Sequence, residues 1–269
     1  MLLVKDLSVE YNNVKVLKNI SFALNNGEKV IILGNNGAGK TTLLKSLLGL
    51  IPIKSGKIQI LGKPNEKVIK EIGVSTNLES VYYLLYSIKV LELIDLYCDL
   101  KEGSPQRAIN FIKEMKMEHV LKKRFYNLSS GEKKIVTNTL ALFTGSKLIL
   151  LDEPFEGLDP WRANKTVDML NSVKSSIIMT THRLDILAKL NTFSIYFLFN
   201  GQLYGPVKRA SDLINCYVTS SKTSIIKDKM DIILQIPMNN KNLILTKKPV
   251  VRKILDYTNI DEIYKVVLE

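Results

Sequence analysis

The chain has 269 residues, of which 46% are hydrophobic, and its formal net charge is +12. This length suits one large domain, or one domain with an appendage, and no apolar run approaches the roughly 18 residues that a membrane helix needs. The N-terminal residues enter a strand-like pattern and lack the layout of a signal peptide, and the two cysteines stand alone. We therefore expect a cytoplasmic protein without a zinc site or a disulfide framework. The positive charge is spread along the chain, which favours a solvated surface, with work beside an anionic inner membrane leaflet as the second interpretation. No nucleic-acid partner is expected.

The first 60 residues predict a β layer followed by a strand, a glycine-rich loop and a helix. Residues 1–27 contain short alternating apolar runs, with turn signals at Asn12-Asn13 and Asn25-Asn26-Gly27. Lys29–Leu33 is typical of a buried strand, and the residues after position 42 have helical spacing.

The loop between that strand and helix reads Gly-Asn-Asn-Gly-Ala-Gly-Lys-Thr-Thr, a G-x-x-x-x-G-K-T phosphate-binding motif. Its glycines let the backbone curl so that successive N–H groups point at a polyphosphate, and the helix N-terminus adds partial positive charge. We expect Lys40 to reach the β- and γ-phosphates and the Thr41 hydroxyl to bind Mg²⁺. The candidate nucleotide-binding residues are those of the whole loop: Gly34, Asn35, Asn36, Gly37, Ala38, Gly39, Lys40, Thr41 and Thr42.

The remaining chain predicts three further regions. A helical insertion is expected at about 77–127, with helical spacing over Glu79–Leu100 and Gln106–Lys123. Strand-type runs then alternate with helices, which indicates a parallel sheet covered by helices; the helices are expected at 131–142, 160–173 and 183–190. We assign residues 1–205 to one domain and residues 206–269 to a small α/β appendage, with helices near 249–257 and 259–267.

Polar residues follow two of these strands. The run Leu148–Leu151 ends in Asp152 and Glu153. Asp152 suits Mg²⁺ binding through water beside Thr41, and Glu153 is placed to polarise an attacking water. His182 follows a strand one helical crossover later, so the two strand ends are expected to lie together.

Leu128-Ser-Ser-Gly-Glu132 precedes a helix. Ser129 and Glu132 form a capping-box pattern, which stabilises a helix without any ligand. Free N–H groups at a helix N-terminus also make an anion site, and the two interpretations are compatible.

In order and spacing, these motifs resemble the nucleotide-binding subunit of an ATP-binding cassette (ABC) transporter. The resemblance implies an α/β fold: a P-loop NTPase core with an antiparallel β subdomain, a helical insertion and here a small C-terminal α/β appendage. It identifies the glycine loop as Walker A, Leu148–Glu153 as Walker B and Leu128–Glu132 as a variant of the Leu-Ser-Gly-Gly-Gln signature. Tyr11 resembles the aromatic that stacks on adenine, and His182 the switch histidine that acts with the catalytic Glu153.

The resemblance further implies ATP and Mg²⁺ as cofactors and an ATP-dependent head-to-tail dimer. Ser129 and the Gly131 N–H would complete the γ-phosphate site of the opposite subunit. A separately encoded polytopic transmembrane subunit is the implied partner, which would place the chain at the inner face of the cell membrane. The aromatic stripe from Val81 to Tyr86 is either the docking face for that partner or ordinary core.

Asn77 stands where the family usually has a glutamine that senses Mg²⁺, so direct contact with the ion is in doubt and a bridging water is the alternative. A plain turn residue is a further interpretation. Thr258–Tyr264 resembles the Leu-Glu-(Asp/Glu)-Ile-Phe ending of exporter ATPases, which favours export. The alternative function is an ABC ATPase in a non-transport membrane or nucleic-acid complex.

Overall fold

The computed structural model describes residues 1–65, 73–190, 192–221, 232–238, 241–247, 249 and 252–268. The strands are β1 Leu2–Tyr11, β2 Val14–Leu24, β3 Lys29–Leu33, β4 Ser55–Ile60, β5 Lys63–Pro64, β6 Val74–Thr76, β7 Leu148–Asp152, β8 Ser176–Thr181, β9 Phe193–Phe199, β10 Gln202–Val207, β11 Tyr217–Ser221, β12 Ile232–Met238, β13 Lys241–Thr246 and β14 Arg252–Lys253. The α-helices are α1 Lys40–Leu47, α2 Val90–Lys101, α3 Pro105–Glu114, α4 Ser130–Phe143, α5 Pro160–Ser172, α6 Ala210–Ile214 and α7 Ile260–Leu268.

The N-terminal β layer is an antiparallel sheet in the order β2-β1-β4-β5. β1 and β2 form a hairpin that closes at the pair Tyr11↔Val14. Asn12 and Asn13 make the turn with φ of 48° and 65°, the left-handed conformation that a two-residue hairpin turn requires and that asparagine tolerates. The predicted β layer is confirmed, with two long strands in place of several short ones.

The central sheet has the order β10-β9-β3-β8-β7-β6, and only β10 runs antiparallel to its neighbour. Alternate residues of β3 enter two different cores. Val30 and Ile32 pack with α1 and the N-terminal sheet, whereas Ile31 and Leu33 pack with α2 to α5. The predicted parallel sheet covered on both faces is therefore confirmed.

Four predicted helices are wrong in whole or in part. Of Gln106–Lys123, only the part up to Glu114 is α-helical, and a 3₁₀ turn follows at Glu118–Lys122. The other three fail because their backbone pairs with distant segments. The N-terminal half of Glu79–Leu100 is not α-helical, since Ile88 and Val90 hydrogen-bond to residues 123–125 in extended conformation. Only one 3₁₀ turn lies in 183–190, at Leu187–Lys189. The predicted helix near 249–257 includes residues 250 and 251, which lie outside the described residues; over 252–256, β14 pairs with β11 and a 3₁₀ turn follows instead.

The third sheet has the order β12-β13-β11-β14 and packs with α7, whereas α6 packs with β9 and β10 of the central sheet. Ile254, Ile260 and Ile263 are buried in the same core as Leu184 and Phe193. The predicted domain boundary between residues 205 and 206 falls within β10, and the division stays a prediction. In the described part of the chain, no helix has the length and apolar character of a membrane span.

Candidate functional site

The glycine loop runs from the end of β3 to the start of α1. Gly39 has φ of 101°, and a Cβ there would lie 2.9 Å from the Leu17 side chain. A Cβ on Gly34 would lie 2.6 Å from the Leu198 carbonyl oxygen. Both positions therefore require glycine, one for its conformation and its close packing, the other for close backbone approach. The result is a tight curl of main chain at the N-terminus of α1.

The Lys40 side chain is buried beneath this curl, with 6% of it exposed. Its Nζ donates to the carbonyl oxygens of Gly34 at 2.7 Å and Asn35 at 3.2 Å. It also lies 3.1 Å from Glu153 Oε1. The ammonium group thus has oxygen partners within the chain on the side where phosphate is expected.

Asp152 ends β7 and lies between α1 and β8. Its two carboxylate oxygens accept hydrogen bonds from the hydroxyls of Thr41 at 2.7 Å and Thr180 at 2.5 Å. Thr180 is directly opposite Asp152 in the parallel register of β7 and β8. The expectation that these two strand ends lie together is confirmed.

Glu153 connects the loop to the histidine. Its φ is 43°, a conformation that costs energy in a non-glycine residue and often marks functional sites. Its Oε1 lies 3.0 Å from His182 Nδ1, and its Oε2 accepts a hydrogen bond from the His182 N–H at 3.3 Å. One carboxylate therefore contacts both Lys40 and His182.

These groups surround a cavity of about 320 Å³. Its lining residues are Val16, Asn36, Gly37, Gly39, Lys40, Thr41, Thr42, Asp152, Glu153 and Glu156. Thr180, Val16 and Glu156 were missed at the level of sequence. Thr180 had a detectable signal, because it lies two residues before His182 at the same strand end.

Asn77 is 3% exposed and lies beside Asp152. Its Oδ1 accepts a hydrogen bond from the Asp152 N–H at 2.7 Å, while its Nδ2 donates to the Asp152 carbonyl at 3.1 Å and to Asn138 Oδ1 at 2.8 Å. The side-chain amide thus pairs with the main chain at the end of β7 as a neighbouring strand would. Asn77 therefore positions the end of the Walker B strand. The interpretation of Asn77 as a plain turn residue does not account for these hydrogen bonds.

The predicted capping box at the start of α4 is confirmed. Ser129 Oγ accepts from the Glu132 N–H at 3.3 Å, and Glu132 Oε2 accepts from the Ser129 N–H at 2.8 Å. Glu132 Oε1 also lies 2.8 Å from Lys123 Nζ and 2.7 Å from His119 Nε2. Burial raises the pKa of Glu132, but the hydrogen bonds from Lys123, Ser129 and His119 outweigh it and lower that pKa to about 2.

The remaining predicted residues lie apart from this cavity. Tyr11 is at the end of β1 with 44% of its surface exposed. Ser129 and Gly131 lie at the N-terminus of α4, where Gly131 closely approaches Gly157: an added Cβ would be 3.0 Å from the Gly157 carbonyl oxygen. The structure therefore brings Walker A, Walker B, Asn77 and His182 together. Ser129 and Gly131 do not line this cavity, but Ser130 lines a neighbouring one with Thr41, Asn77 and Asp152.

Comparison with known proteins agrees with this geometry. Residues 17–156 match the family described as ABC transporter. The zinc import ATP-binding protein ZnuC of Wigglesworthia glossinidia brevipalpis is 31% identical over 234 residues, covering 83% of this chain and 96% of that protein. EcsA of Bacillus subtilis (strain 168), an ABC-type transporter ATP-binding protein, is 33% identical over 213 residues, covering 76% and 85%.

Among solved structures, a protein described as a cobalt transport ATP-binding protein (cbiO-2) superposes with a TM-score of 0.89 at 30% identity. The match covers 99% of this chain and 100% of that one, so it includes the third sheet. The chain belongs to the ABC transporter family and is an ATP-binding, ATP-hydrolysing transporter subunit. The predicted fold class is confirmed.

Proposed function

We propose that this chain powers a separately encoded transmembrane partner by hydrolysing ATP at the cavity between Walker A and Walker B. One observation carries the proposal: Glu153 contacts both the phosphate-loop Lys40 and His182 at a single cavity. A loop of N–H groups, a buried cation and a carboxylate beside a histidine are together what phosphoryl transfer to water requires.

The role of each residue follows from its present contacts. ATP phosphates bind the N–H groups of residues 34–42, and Lys40 exchanges its carbonyl partners for phosphate oxygens. Glu153 then loses its contact with the ammonium group and is free to accept a proton from the attacking water. The His182 main-chain N–H donates to Glu153 Oε2 and its ring Nδ1 lies 3.0 Å from Oε1, so His182 is placed to orient the carboxylate.

Mg²⁺ fits the oxygen ligands at the end of β7. The Asp152 carboxylate and the Thr41 hydroxyl are hard oxygen donors that already lie 2.7 Å apart. In the described residues, no group of three or more His, Cys, Asp or Glu side chains could hold a metal unaided, and Mg²⁺ commonly uses one or two carboxylates plus substrate phosphates. The ion would neutralise phosphate charge, and we place Asn77 as a sensor that acts through the main chain of Asp152.

A second copy of the chain is proposed to complete each site. Ser129 and Gly131 lie outside the cavity of their own chain, which agrees with a role at the γ-phosphate of the opposite subunit. The contact of Gly131 with Gly157 ties the signature to the loop after Walker B, so the two would move together as the dimer closes. Tyr11, exposed at the end of β1, is available to stack on adenine.

The transmembrane partner is proposed to dock on the helical region. The aromatic stripe is compatible with both interpretations considered above, since Tyr82 is buried in the core and Tyr83 is 68% exposed. Tyr126 and Leu100 are also large, apolar and exposed. Docking there would place the chain at the inner face of the membrane.

For the direction of transport we propose export, supported by the Thr258–Tyr264 ending. Metal-ion transport is a second candidate, favoured by the whole-length match to the protein described as a cobalt transport ATP-binding protein. Cobalt accumulation, compared between cells that carry the intact chain and cells that carry Lys40→Ala, distinguishes metal uptake from export of another solute. Lower accumulation with the variant supports metal uptake, and unchanged accumulation leaves export of another solute.

Calorimetry and phosphate release test the site itself. Lys40→Ala is expected to abolish ATP binding, whereas Glu153→Gln is expected to keep binding and lose turnover by at least about a hundredfold. Glu114→Gln, an exposed acid at the end of α3, is the matched control and should behave as the parent. Unchanged ATP affinity in Lys40→Ala would contradict the assigned site.

Copurification with nucleic acid, in place of a polytopic membrane protein, would favour the non-transport alternative.

A further inference from the structure

Residues 258–263, called the docking segment below, pair with the loop that carries His182. The Leu184 N–H donates to the Thr258 carbonyl at 3.0 Å, and the Ile260 N–H donates to the His182 carbonyl at 2.8 Å. Arg183 and Asn259 form the antiparallel bridge between these bonds. The main chain on either side of the switch histidine is therefore bonded to the docking segment.

This pairing is fixed by burial and by a local cap. Ile260 and Ile263 are each 1% exposed and belong to the main core. Glu262 accepts hydrogen bonds from the Thr258 N–H at 3.0 Å and from Asn259 Nδ2 at 3.3 Å. The start of α7 is thus placed against the nucleotide site with a defined orientation.

Asp261, the second residue of α7, reaches the phosphate loop. Its Oδ1 accepts a hydrogen bond from the main-chain N–H of Asn36 at 3.3 Å. Asn36 lines the same cavity as Lys40 and Glu153. A carboxylate carries negative charge and acceptor oxygens as a phosphate does, so Asp261 gives the loop the kind of partner that nucleotide would supply.

Lys40 likewise contacts oxygen atoms of the chain in place of phosphate oxygens. Its Nζ is bonded to two carbonyl oxygens of its own loop and lies beside Glu153. An acid in the first turn of α7 also interacts favourably with its own helix dipole, but that interaction does not require Asn36. The helix dipole therefore does not explain why Asp261 accepts a hydrogen bond from Asn36, 225 positions away in the sequence.

We propose that Asp261 makes an autoinhibitory contact: its carboxylate holds the Asn36 N–H of the phosphate loop, and nucleotide phosphates must displace it. Displacement would also loosen the start of α7, which is bonded to the His182 loop, so nucleotide binding and the position of the switch histidine are coupled within one chain. The proposal rests on the assignment of residues 34–42 as the ATP-binding loop.

The test is a calorimetric titration of the full chain with ATP and, separately, with tripolyphosphate, which has the phosphates but no base. Asp261→Asn removes the charge and keeps the acceptor oxygen, and Asp261→Ala removes both. Each variant is expected to bind both ligands about three- to tenfold more tightly than the parent, because the competing hydrogen bond loses its charged acceptor in Asp261→Asn and is absent in Asp261→Ala. Asp256→Asn is the matched control, since Asp256 also accepts a main-chain N–H, from Lys253 at 3.0 Å, away from the site.

Equal or weaker binding by Asp261→Asn would overturn the proposal, and so would a gain for ATP without a gain for tripolyphosphate. If Asp261→Ala fails to fold, Asp261→Asn alone decides. A parent chain that binds neither ligand would instead contradict the assigned ATP site, so the two failures are distinguishable.

Discussion

Single buried polar residues set the geometry at the end of β7. Asn77 satisfies both main-chain groups of Asp152 and also binds Asn138, and its own surface is almost fully buried. A buried main-chain group that loses its partner costs roughly 1–3 kcal/mol. The position of the Asp152 carboxylate therefore depends on an amide at residue 77.

Asn77→Ala is expected to lower the free energy of unfolding by about 1–3 kcal/mol, because it leaves the Asp152 N–H and carbonyl without this partner. Asn77→Gln should also destabilise, since the extra methylene must enter a packed, buried site. Urea unfolding monitored by circular dichroism measures both. Asn164→Ala, an exposed position on α5, is the control; a value for Asn77→Ala within about 0.3 kcal/mol of it would contradict the bridging role.

For single residues, the sequence alone predicts a candidate site where the functional groups lie close together in the chain. Lys40 and Thr41 could be predicted because a loop of nine consecutive residues contains the glycines, the cation and the hydroxyl together. The partners of Asn77 could not, since its hydrogen bonds to Asp152 span 75 positions. The contact of Asp261 with Asn36 was equally inaccessible, because no periodicity or spacing relates the two residues.

Among the helices, α4 has the most elaborate N-terminus. Its capping acid, Glu132, also contacts Lys123 and His119, so the signature is connected to the 3₁₀ turn Glu118–Lys122 and the residue after it. α2 begins with a similar acid, but Glu92 is more exposed and lies 3.9 Å from the Lys89 ammonium group. The capping acids of α2 and α4 therefore occupy equivalent positions but differ in how buried they are and in which charged side chains they contact.

Glu132→Gln is expected to destabilise the chain by about 1 kcal/mol at pH 7, because the amide keeps the cap but loses the ionic contact with Lys123. The pKa of Glu132 lies at about 2 in the folded chain, below its ordinary value of 4.5. The stabilisation by the ionised form is therefore complete above pH 4.5 and is lost as the pH falls toward 2.

Urea unfolding of the parent and Glu132→Gln at a series of pH values measures this. The difference between the two should shrink steadily below pH 4.5, whereas Glu92→Gln should differ from its parent by less than about 0.5 kcal/mol at pH 7. A difference that is constant from neutral pH to the acid limit of folding would show that the ionic contacts contribute nothing.

Elements were predictable where their own pattern decides the structure. Helix α4 has a capping box and β3 has a continuous apolar run, and both formed close to the predicted bounds. Residues 183–190 and 252–257 have apolar residues at helical spacing as well, yet main-chain pairing with 258–260 and with β11 prevails. Secondary structure that depends on a distant partner strand cannot be identified from local spacing.

In the whole molecule, the strands that carry the proposed catalytic residues end at the same edge of the central sheet. β3, β7 and β8 end there with the phosphate loop, the Asp152–Glu153 pair and His182, and the docking segment covers the same edge from the third sheet. The signature lies at the N-terminus of α4, outside the cavity. One chain therefore holds the proposed hydrolytic residues at one edge and leaves Ser129 and Ser130 of the signature exposed.

A two-fold dimer would use that exposed part twice, because the same surface of each copy contributes a phosphate loop and a signature. Glu153→Gln should accumulate this dimer in ATP, since it keeps ATP bound between the copies and prevents its hydrolysis. Light scattering is expected to give twice the 30.4 kDa monomer mass in ATP and the monomer mass in ADP. Adding Lys40→Ala to Glu153→Gln should abolish the shift, because ATP no longer binds. A mass that stays at the monomer value at saturating ATP would contradict an ATP-driven dimer of this chain alone.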